Sequence, residues 1–515
     1  MNISFYFELL MTTGLIWLLS KAVYNIWFHP LRSFPGPWYS KASRLWYVLK
    51  VIQGGHKFAI QELHDRYGLV VRIAPDELSY IDPEAWNDIY GSAAHHNGPA
   101  TLEKDQDFFA TVFGDSDTLA SASSGRYKAQ KNNAVRGFSH TQLLQKENDM
   151  ISSITPFVNR LQRHLGRKRA GTIDIDAWLG NLVLDLHVNL TVGHKFHAVE
   201  QGPLAHPLVK VMHRVTTVLQ FSTQLLYLPL SRASLSGLRI FPRWDLFSVF
   251  SSMPPLGPAI TDRLARMDAG EDEDGDEHTD FVHHMATDRK DGAISPETIK
   301  RNAFIVILSG IETLPDYISS VLFFTLSNPG CFDKLQAEIR SKFIASHEIS
   351  ATSVQGLKFL KACMHESLRL APPFVGTLPR HVPRLGALIC GAFVAGGTTV
   401  GIHNWSITHS KRFWKEPDIF RPERWMVSED SLYKDDLREA FHPFGYGPRT
   451  CVAKNLVIIE ASLILARILY DFDLQLHPSS QNWSERMGHL VPNKGPLFVN
   501  IKSADQRGSA TGQLD

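Results

Sequence analysis

Apolar residues recur at intervals of three and four along several segments of the chain, which is the spacing of one face of an α-helix. This pattern predicts helices at Ser43–Gln53, Ile151–Leu165, Ile299–Leu326 and Phe332–Phe343. Short runs of β-branched and apolar residues predict strands at Val70–Ile73, Leu78–Ile81, Ala387–Ile389 and Thr398–Ile402. The chain is therefore predicted to be mainly α with small β-sheets.

The beginning of the chain departs from this periodicity, because residues 1–27 are largely apolar and carry only Glu8 and Lys21 as charges. About 20 apolar residues suffice to cross the ~30 Å hydrocarbon core of a membrane. The cations that follow, including Arg32 and Arg44, predict that the body of the protein lies in the cytosol. We expect a single-span membrane anchor; a cleaved signal peptide and a buried helix are the alternatives.

The remainder of the chain divides by composition. Residues 28–40 are rich in proline, which disfavours a regular helix and predicts a stiff hinge. Residues 41–502 contain no linker between two compact halves and are predicted to form one large domain. Residues 503–515 are polar and predict a tail without fixed structure.

Composition narrows the possible partners and the redox environment. The 515 residues include 53 Lys+Arg and 52 Asp+Glu, a formal net charge of +1, which argues against nucleic acid as a partner. Four cysteines are too few for a disulfide framework and fit a reducing compartment. The question is then whether one of the four is a metal ligand or a nucleophile.

Cys451 is the cysteine whose surroundings favour chemistry. It follows a turn that contains Gly445 and Gly447, and an apolar run of helical period begins just after it. The free N–H groups and the positive dipole at a helix start stabilise a thiolate, which is the form of cysteine that ligates metals. From these residues alone, a metal-ligating thiolate and a buried structural cysteine both remain open.

A longer motif surrounds this cysteine. The segment PFGYGPRTC ends at Cys451 and resembles the haem-binding signature of the cytochrome P-450 family. The positions that carry the resemblance are Phe444, Gly447, Arg449 and Cys451.

Three further motifs stand in the order expected for this family. The segment SGIET, Ser309–Thr313, resembles the oxygen-activating part of the family's I helix. ESLR, Glu366–Arg369, resembles its K-helix pair, and FRPERW, Phe420–Trp425, resembles the segment that completes the same network. The resemblance therefore implies a cytochrome P-450 fold preceded by an N-terminal transmembrane helix, similar to fungal microsomal members that tailor secondary metabolites.

The resemblance implies heme b as the cofactor, with Cys451 as the axial thiolate ligand of the iron. Phe444 would pack beside the sulfur, and Gly447 would keep the turn tight. Arg449 would bind a haem propionate, because a guanidinium suits bidentate carboxylate binding. Arg380 is the second candidate for a propionate, with a surface arginine as its alternative.

The sequence departs from the family pattern at several positions. Tyr127-x-x-x-Lys131 stands where the family carries a tryptophan or histidine and an arginine on its C helix, and both residues are expected to reach a propionate. Ala453 replaces the usual glycine, and Leu314 replaces the usual second hydroxyl residue. Pro315 removes a helical hydrogen bond and predicts a kink in the I helix, at a cost of ~3 kcal/mol.

Thr313 and Glu312 would deliver protons for oxygen activation, because a hydroxyl beside an acid can form a relay through water. Gly310 would let the helix backbone approach the oxygen site without an intervening side chain. The alternative for Thr313 is a hydroxyl that bonds to the backbone of its own helix.

Glu366 and Arg369 lie one turn apart and can pair on one face of a helix. The resemblance adds Arg424 from the later motif to this pair, in a structural role rather than a chemical one. A solvated surface pair is the alternative.

As a whole, the resemblance implies a haem-thiolate monooxygenase that hydroxylates, epoxidises or otherwise oxidises an apolar small molecule with O₂ and NADPH-derived electrons. The expected electron donor is an NADPH-cytochrome reductase, a flavoprotein, with cytochrome b5 as an optional second donor. The expected location is the endoplasmic reticulum membrane, single-pass, with a cytosolic catalytic domain. A haem-thiolate isomerase, dehydratase or peroxide-dependent enzyme and a catalytically inactive haem protein are the alternatives.

Overall fold

A computed structural model gives the fold of the chain. It describes residues 3–92, 102–113, 118–227, 254–270, 280–286, 294–426, 431–486 and 495–504. Helices predominate in these residues and the strands form small sheets, so the predicted fold class is confirmed.

The α-helices of the described residues are α1 (Ile3–Val23), α2 (Trp38–Ala42), α3 (Leu45–Ile52), α4 (His56–Tyr67), α5 (Glu84–Tyr90), α6 (Gln106–Phe113), α7 (Ser124–Gly137), α8 (His140–Gln145), α9 (Glu147–Leu165), α10 (Ile175–Val192), α11 (Pro207–Leu226), α12 (Leu256–Asp268), α13 (Phe281–Ala286), α14 (Pro296–Leu326), α15 (Pro329–Lys342), α16 (Lys358–Leu370), α17 (Asn404–Thr408) and α18 (Lys454–Asp471). The strands are β1 (Val70–Ala74), β2 (Glu77–Tyr80), β3 (Glu103–Lys104), β4 (Ala170–Asp174), β5 (Arg380–His381), β6 (Ala387–Ile389), β7 (Ala392–Val394), β8 (Thr399–Ile402), β9 (Phe472–Leu476) and β10 (Phe498–Ser503).

The sheets join segments that lie far apart in the chain. The largest has the strand order β1-β2-β8-β5-β3, a second has the order β4-β10-β9, and β6 pairs with β7. Strands β2 and β8 run parallel, with Leu78 opposite Val400. The strands predicted near residue 75 and those predicted after residue 385 therefore meet in one sheet, although more than 300 residues separate Leu78 from Val400.

Helix α14 is the axis of the helical core. It contains 31 residues, and it runs on through Pro315 without ending there. At 1.5 Å per residue its length is about 46 Å. Every residue from Leu314 to Phe323 is buried, so neighbouring elements, α10 foremost, cover the helix on all sides. Its apolar composition therefore reflects the core, although the helix is also long and apolar enough to cross a membrane.

The other described segment with the length and hydropathy of a membrane span is Ser4–Phe28, whose large apolar side chains are exposed. It is a candidate membrane anchor. The proline-rich hinge after it packs onto the domain, because Leu31 and Phe34 are buried in the same apolar cluster as the strands of the largest sheet. The Arg72 N–H also donates to the Pro35 carbonyl at 2.7 Å. The predicted polar tail lies outside the described residues from residue 505 onward.

Candidate active site

The loop that precedes α18 holds Cys451 in a tight turn. The Cys451 N–H donates to the Phe444 carbonyl at 2.8 Å. Gly447 has a φ of +70°, and a side chain there would overlap the backbone of Tyr90 in α5. Only glycine fits this position without rearrangement, since it combines left-handed backbone with a close approach to another helix.

Cys451 is exposed, whereas the other three cysteines are buried or half-buried. Desolvation by the surrounding protein raises the pKa of its thiol, and the Ala453 N–H and the Lys454 ammonium offset this only in part. The sequence predicted a lowered pKa, but α18 begins three residues after the cysteine and desolvation outweighs the helix end. An exposed cysteine with an N–H donor and a cation near its sulfur suits a metal-ligating role.

Tyr127 and Lys131 of α7 lie against the same loop. The guanidinium carbon of Arg449 lies 3.6 Å from the centroid of the Tyr127 ring, and its Nη2 donates to the Ala122 carbonyl at 2.6 Å. The Lys131 ammonium donates to the Pro448 carbonyl at 2.5 Å. The Nη1 atom of Arg449 is buried and has no partner among the described residues.

Two further cations converge on Arg449. Arg380 is 3% exposed and Lys104 is 8% exposed. Burial and repulsion from Arg449 and Arg380 hold the pKa of Lys104 well below its usual value, and burial with repulsion from Arg449 lowers the pKa of Arg380 to about 10. Within the described ranges, none of the three forms an ion pair with a carboxylate. This cluster therefore suits an anionic ligand.

Cys451 and the cation cluster of Arg449, Arg380 and Lys104 together fit a haem group. A thiolate ligates haem iron, and guanidinium and ammonium groups bind carboxylates such as the haem propionates. Arg449 belongs to the cation cluster and also lies two residues before Cys451, so the same loop serves both. Lys104 thus joins Arg449 and Arg380 as a residue that can hold a propionate.

In the segment Ser309–Thr313 of α14, the side chains of Thr313 and Glu312 make different contacts. The Thr313 hydroxyl donates to the Ser309 carbonyl at 2.7 Å, which is the alternative that the sequence left open. Its oxygen can still accept a hydrogen bond. Glu312 is buried and turned towards α11, where its Oε2 lies 3.2 Å from Nδ1 of His213. In the described residues no side-chain hydrogen bond joins Thr313 to Glu312.

Gly310 has a different neighbour from the one that the resemblance implies. A methyl carbon at this position would overlap the ring of His187 from α10. His187 Nε2 lies 3.2 Å from Glu460 Oε2 of α18, and both side chains are at most 4% exposed. Burial alone would lower the pKa of His187, but the Glu460 carboxylate outweighs burial and raises it. The missing side chain of Gly310 therefore makes room for the buried contact between His187 and Glu460.

Glu366 of α16 is the centre of a buried network. Its Oε1 lies 2.8 Å from Arg369 Nη2 and 3.0 Å from Arg424 Nε, and its Oε2 accepts from Trp425 Nε1 at 2.9 Å. Asp436 pairs with the same Arg424. Burial would raise the pKa of Glu366, but the two guanidiniums hold it below its usual value. The three predicted residues therefore meet in the core, with Asp436 as an additional member.

Comparison with known proteins agrees with this geometry. The family model of cytochrome P-450 matches residues 35–500. The chain belongs to the cytochrome P-450 family. The P-450 monooxygenase astJ of Aspergillus oryzae is 33% identical over 494 residues, which cover 94% of each chain. The P-450 monooxygenase tpeC of Talaromyces stipitatus is 32% identical over 486 residues, which cover 94% of this chain and 92% of the relative.

Membership in the P-450 family implies haem iron with a cysteine thiolate, a redox partner and a small-molecule substrate. Three residues that depart from the family pattern, Ala453, Leu314 and Pro315, lie in or beside two helices of this P-450. Ala453 is the residue that caps the start of α18, and Leu314 is buried in the core. Pro315 lies inside α14, where its missing N–H deprives the Ile311 carbonyl of its helical donor.

Five residues of the P-450 core were not predicted from the sequence. Glu460 is the one charged residue in the apolar run LVIIEASLIL, and such a position is a usable signal. His187 shares the segment VLDLHVNL with Asp185 and Asn189 and carries no such signal. His213 is one of 23 histidines and carries no such signal. Lys104 and Asp436 lie among other charged residues, so only their burial in the fold distinguishes them.

Proposed function

We propose that this P-450 is a haem-thiolate monooxygenase that oxidises an apolar small molecule in a fungal secondary-metabolite pathway. The observation that carries the proposal is the exposed Cys451, held in a loop that also contributes Arg449 to a buried cation cluster. The relatives support the same class, since prhB of Penicillium brasilianum, 30% identical over 500 residues, is also named a P-450 monooxygenase.

The proposed cofactor is heme b. Cys451 would ligate its iron, with Phe444 beside the sulfur and Gly447 closing the turn. When bound, haem iron with a thiolate ligand activates O₂ and supplies the oxygen atom that enters the substrate. The propionates would lie at Arg449 and Arg380.

Two residues of α7 and one of β3 would complete this binding site. The Tyr127 ring stacks against the Arg449 guanidinium. The ammonium groups of Lys131 and Lys104 each lie 5.9 Å from the centroid of the same ring and add positive charge to the binding site. Lys104 is 8% exposed, and a carboxylate beside it would restore the charged form that burial and its cationic neighbours disfavour.

The residues of α14 would handle protons. Thr313 and Glu312 are neighbours on the helix, and each offers an oxygen that can accept a hydrogen bond. Water between them would carry protons towards the oxygen site. Gly310 would let the helix backbone approach the oxygen site without an intervening side chain, and its missing side chain also leaves room for the His187 ring.

The proposed electron donor is an NADPH-cytochrome reductase, a flavoprotein, with cytochrome b5 as a second donor. We also propose that residues 1–27 anchor the protein in the endoplasmic reticulum membrane as a single span. Residues 28–40 would then be the hinge, residues 41–502 the cytosolic catalytic domain and residues 503–515 the polar tail. Carbonate extraction of microsomes tests the anchor: the full chain should stay in the membrane and a chain without residues 1–27 should be released.

The carbon-monoxide difference spectrum of the reduced, full-length protein tests the haem-thiolate site. Cys331→Ser is a matched control, because Cys331 is half-buried and lies in α15. We expect a thiolate-type Soret band in the native protein and in Cys331→Ser, and its loss in Cys451→Ser. A thiolate-type band that survives in Cys451→Ser, or a native protein that binds no haem, would contradict the proposal.

A peroxide-dependent enzyme or an isomerase is the second candidate, because the Thr313 hydroxyl bonds to its own helix rather than to Glu312. The variants Thr313→Ala and Thr313→Ser separate the two. In a monooxygenase, Thr313→Ala should release more hydrogen peroxide per NADPH consumed, and Thr313→Ser should behave like the native protein. Equal peroxide release by all three proteins favours the second candidate.

A further inference from the structure

One face of α14 carries a row of polar side chains, of which the proposed relay uses only Glu312. Glu312, Asp316 and Ser319 are spaced by four and three residues, so they lie on one side of the helix. Asp176 at the start of α10 and His213 in the middle of α11 approach the same side. Three helices thus enclose one group of ionisable side chains, the His213 cluster, which comprises His213, Glu312, Asp316 and Asp176.

The contacts within this cluster form a line from the surface inward. The His213 side chain is 29% exposed, whereas the side chain of its partner Glu312 is 9% exposed. His213 Nδ1 lies 3.2 Å from Glu312 Oε2, while Glu312 Oε1 is buried without a partner in the described residues. Glu312 therefore has one oxygen on a histidine that reaches solvent and one free to carry a proton further.

The charges that face His213 are all negative. They come from Glu312 and Asp316 on α14 and from Asp176 on α10. Burial would lower the pKa of His213, but the hydrogen bond and charge of Glu312 outweigh it and raise the pKa. Burial and the neighbouring Asp174 raise the pKa of Asp176 to about 6. The cluster can therefore gain and lose protons near neutral pH.

We propose that His213 is the solvent-side member of the proton relay in this P-450, and that it supplies protons to Glu312. The inference rests on the proposed monooxygenase function and deepens it. The protonated ring gives its Nδ1 proton to Glu312 Oε2, which becomes a carboxylic acid. The carboxyl group then turns about its Cγ–Cδ bond, so that the protonated oxygen faces water at Thr313 and releases its proton there as Glu312 returns to a carboxylate, and His213 takes a proton back from solvent. One proton moves per cycle, and no electron is transferred in these steps.

The test uses the full-length haem protein with an NADPH-dependent P-450 reductase and no added substrate. Under these conditions NADPH-derived electrons reduce O₂ either to hydrogen peroxide or to water, and water formation needs additional protons. The measured quantity is the ratio of peroxide to water between about pH 6 and pH 8.5, a range that begins near the ordinary pKa of a histidine and extends in the direction in which the pKa of His213 is shifted. It needs no knowledge of the natural substrate.

The variant His213→Gln keeps a side chain that can hydrogen-bond to Glu312 but cannot carry a proton. We expect the peroxide-to-water ratio to rise roughly tenfold, which is less than the ~10²–10⁴-fold of a group that transfers the proton directly, because His213 acts through Glu312. The pH dependence of the ratio should flatten. His197→Gln is the matched control, since His197 also faces a glutamate, Glu200, at 3.4 Å but is 58% exposed and lies outside the cluster. The control should keep the native ratio and pH profile.

The double variant His213→Gln/Glu312→Gln distinguishes one relay from two independent effects. If both residues act in series, the double variant should release no more peroxide than the worse single variant. A native ratio and pH profile in His213→Gln, or fully additive effects in the double variant, would overturn the inference.

Two further outcomes remain distinct. If His213→Gln binds no haem, the variant Glu312→Gln tests the relay instead. A relay that enters through His213 predicts that the peroxide-to-water ratio of Glu312→Gln also loses its pH dependence. A native pH profile in Glu312→Gln would overturn the inference. A native protein that consumes no NADPH with the reductase would contradict the proposed monooxygenase function itself, and with it the role of His213.

Discussion

A single methyl group at Gly310 should destabilise this P-450. The carbon that Gly310→Ala adds would overlap two atoms of the His187 ring and lie 2.8 Å from a third, Nε2, whereas ordinary contact begins at 3.4 Å. The ring cannot swing away freely, because its Nε2 is held by Glu460 and both side chains are buried. The helices α10, α14 and α18 would have to separate instead.

The magnitude follows from the cost of overpacking a core, about 1–3 kcal/mol per added methyl group where neighbours cannot relax. Alanine normally stabilises a helix relative to glycine by about 1 kcal/mol, which works in the opposite direction. Because the added carbon would overlap two atoms of a ring that is held in place, the upper end of the overpacking range applies, and a net loss of about 2 kcal/mol in the free energy of unfolding is expected. The haem site should suffer as well, since Gly310 lies in the same helical turn as Thr313.

Urea unfolding of the full-length protein, followed by tryptophan fluorescence, measures this loss, and the carbon-monoxide spectrum reports whether the thiolate is retained. Gly330→Ala is the matched control: Gly330 is in the first turn of α15, and nothing lies within 4 Å of an added methyl carbon. This control should be neutral or slightly stabilising.

A second background isolates the contact with His187. In His187→Ala/Glu460→Gln the ring is gone and no lone carboxylate is left in the core, so adding Gly310→Ala should then cost less than about 0.5 kcal/mol. The reasoning would be refuted if Gly310→Ala were as stable as the native protein. It would also be refuted if its cost were the same in both backgrounds.

Three further predictions concern the network, the cation cluster and pH. Glu366→Gln should lower the free energy of unfolding by about 3–5 kcal/mol in urea, because it leaves Arg369 buried without a carboxylate and Arg424 paired with Asp436 alone. A loss no larger than that of the exposed Glu297→Gln would contradict this. Arg449→Lys keeps the positive charge but loses the stacking of the guanidinium on Tyr127. The variant should therefore lose its haem to apomyoglobin about 5–30 times faster than the native protein does. An unchanged rate of haem transfer would contradict a role for the stacking. The raised pKa of Asp176 means that the folded state binds its proton more tightly than the unfolded state, so native stability should fall from about pH 4 to pH 6. Asp176→Asn should remove this fall and melt at a higher temperature at pH 7; a lower melting temperature there would contradict the sign.

The elements that the sequence predicted share one property, which is that their signals are local. The apolar period over Ile299–Leu326 predicts most of α14, and the structure extends it by three residues to Pro296. The spacing of Glu366 and Arg369 predicts their contact, because a helix brings residues three apart onto one face. The hinge is different: its prolines predict stiffness, but the burial of Leu31 and Phe34 depends on a sheet whose strands come from elsewhere in the chain.

The sequence by itself determined the helical fold class, the order of the motifs and the cysteine that can ligate haem iron, because each is written in residues close together along the chain. Only the tertiary structure brought His213 to Glu312 across 99 residues and His187 to Glu460 across 273 residues. The positions of such pairs depend on how whole helices pack against one another, and no local period encodes that register. The same packing decided that Lys104 is buried beside two arginines and that Gly310 faces a histidine ring. Burial converts these ordinary charged residues into groups with altered pKa values, because it removes the water that would otherwise screen them.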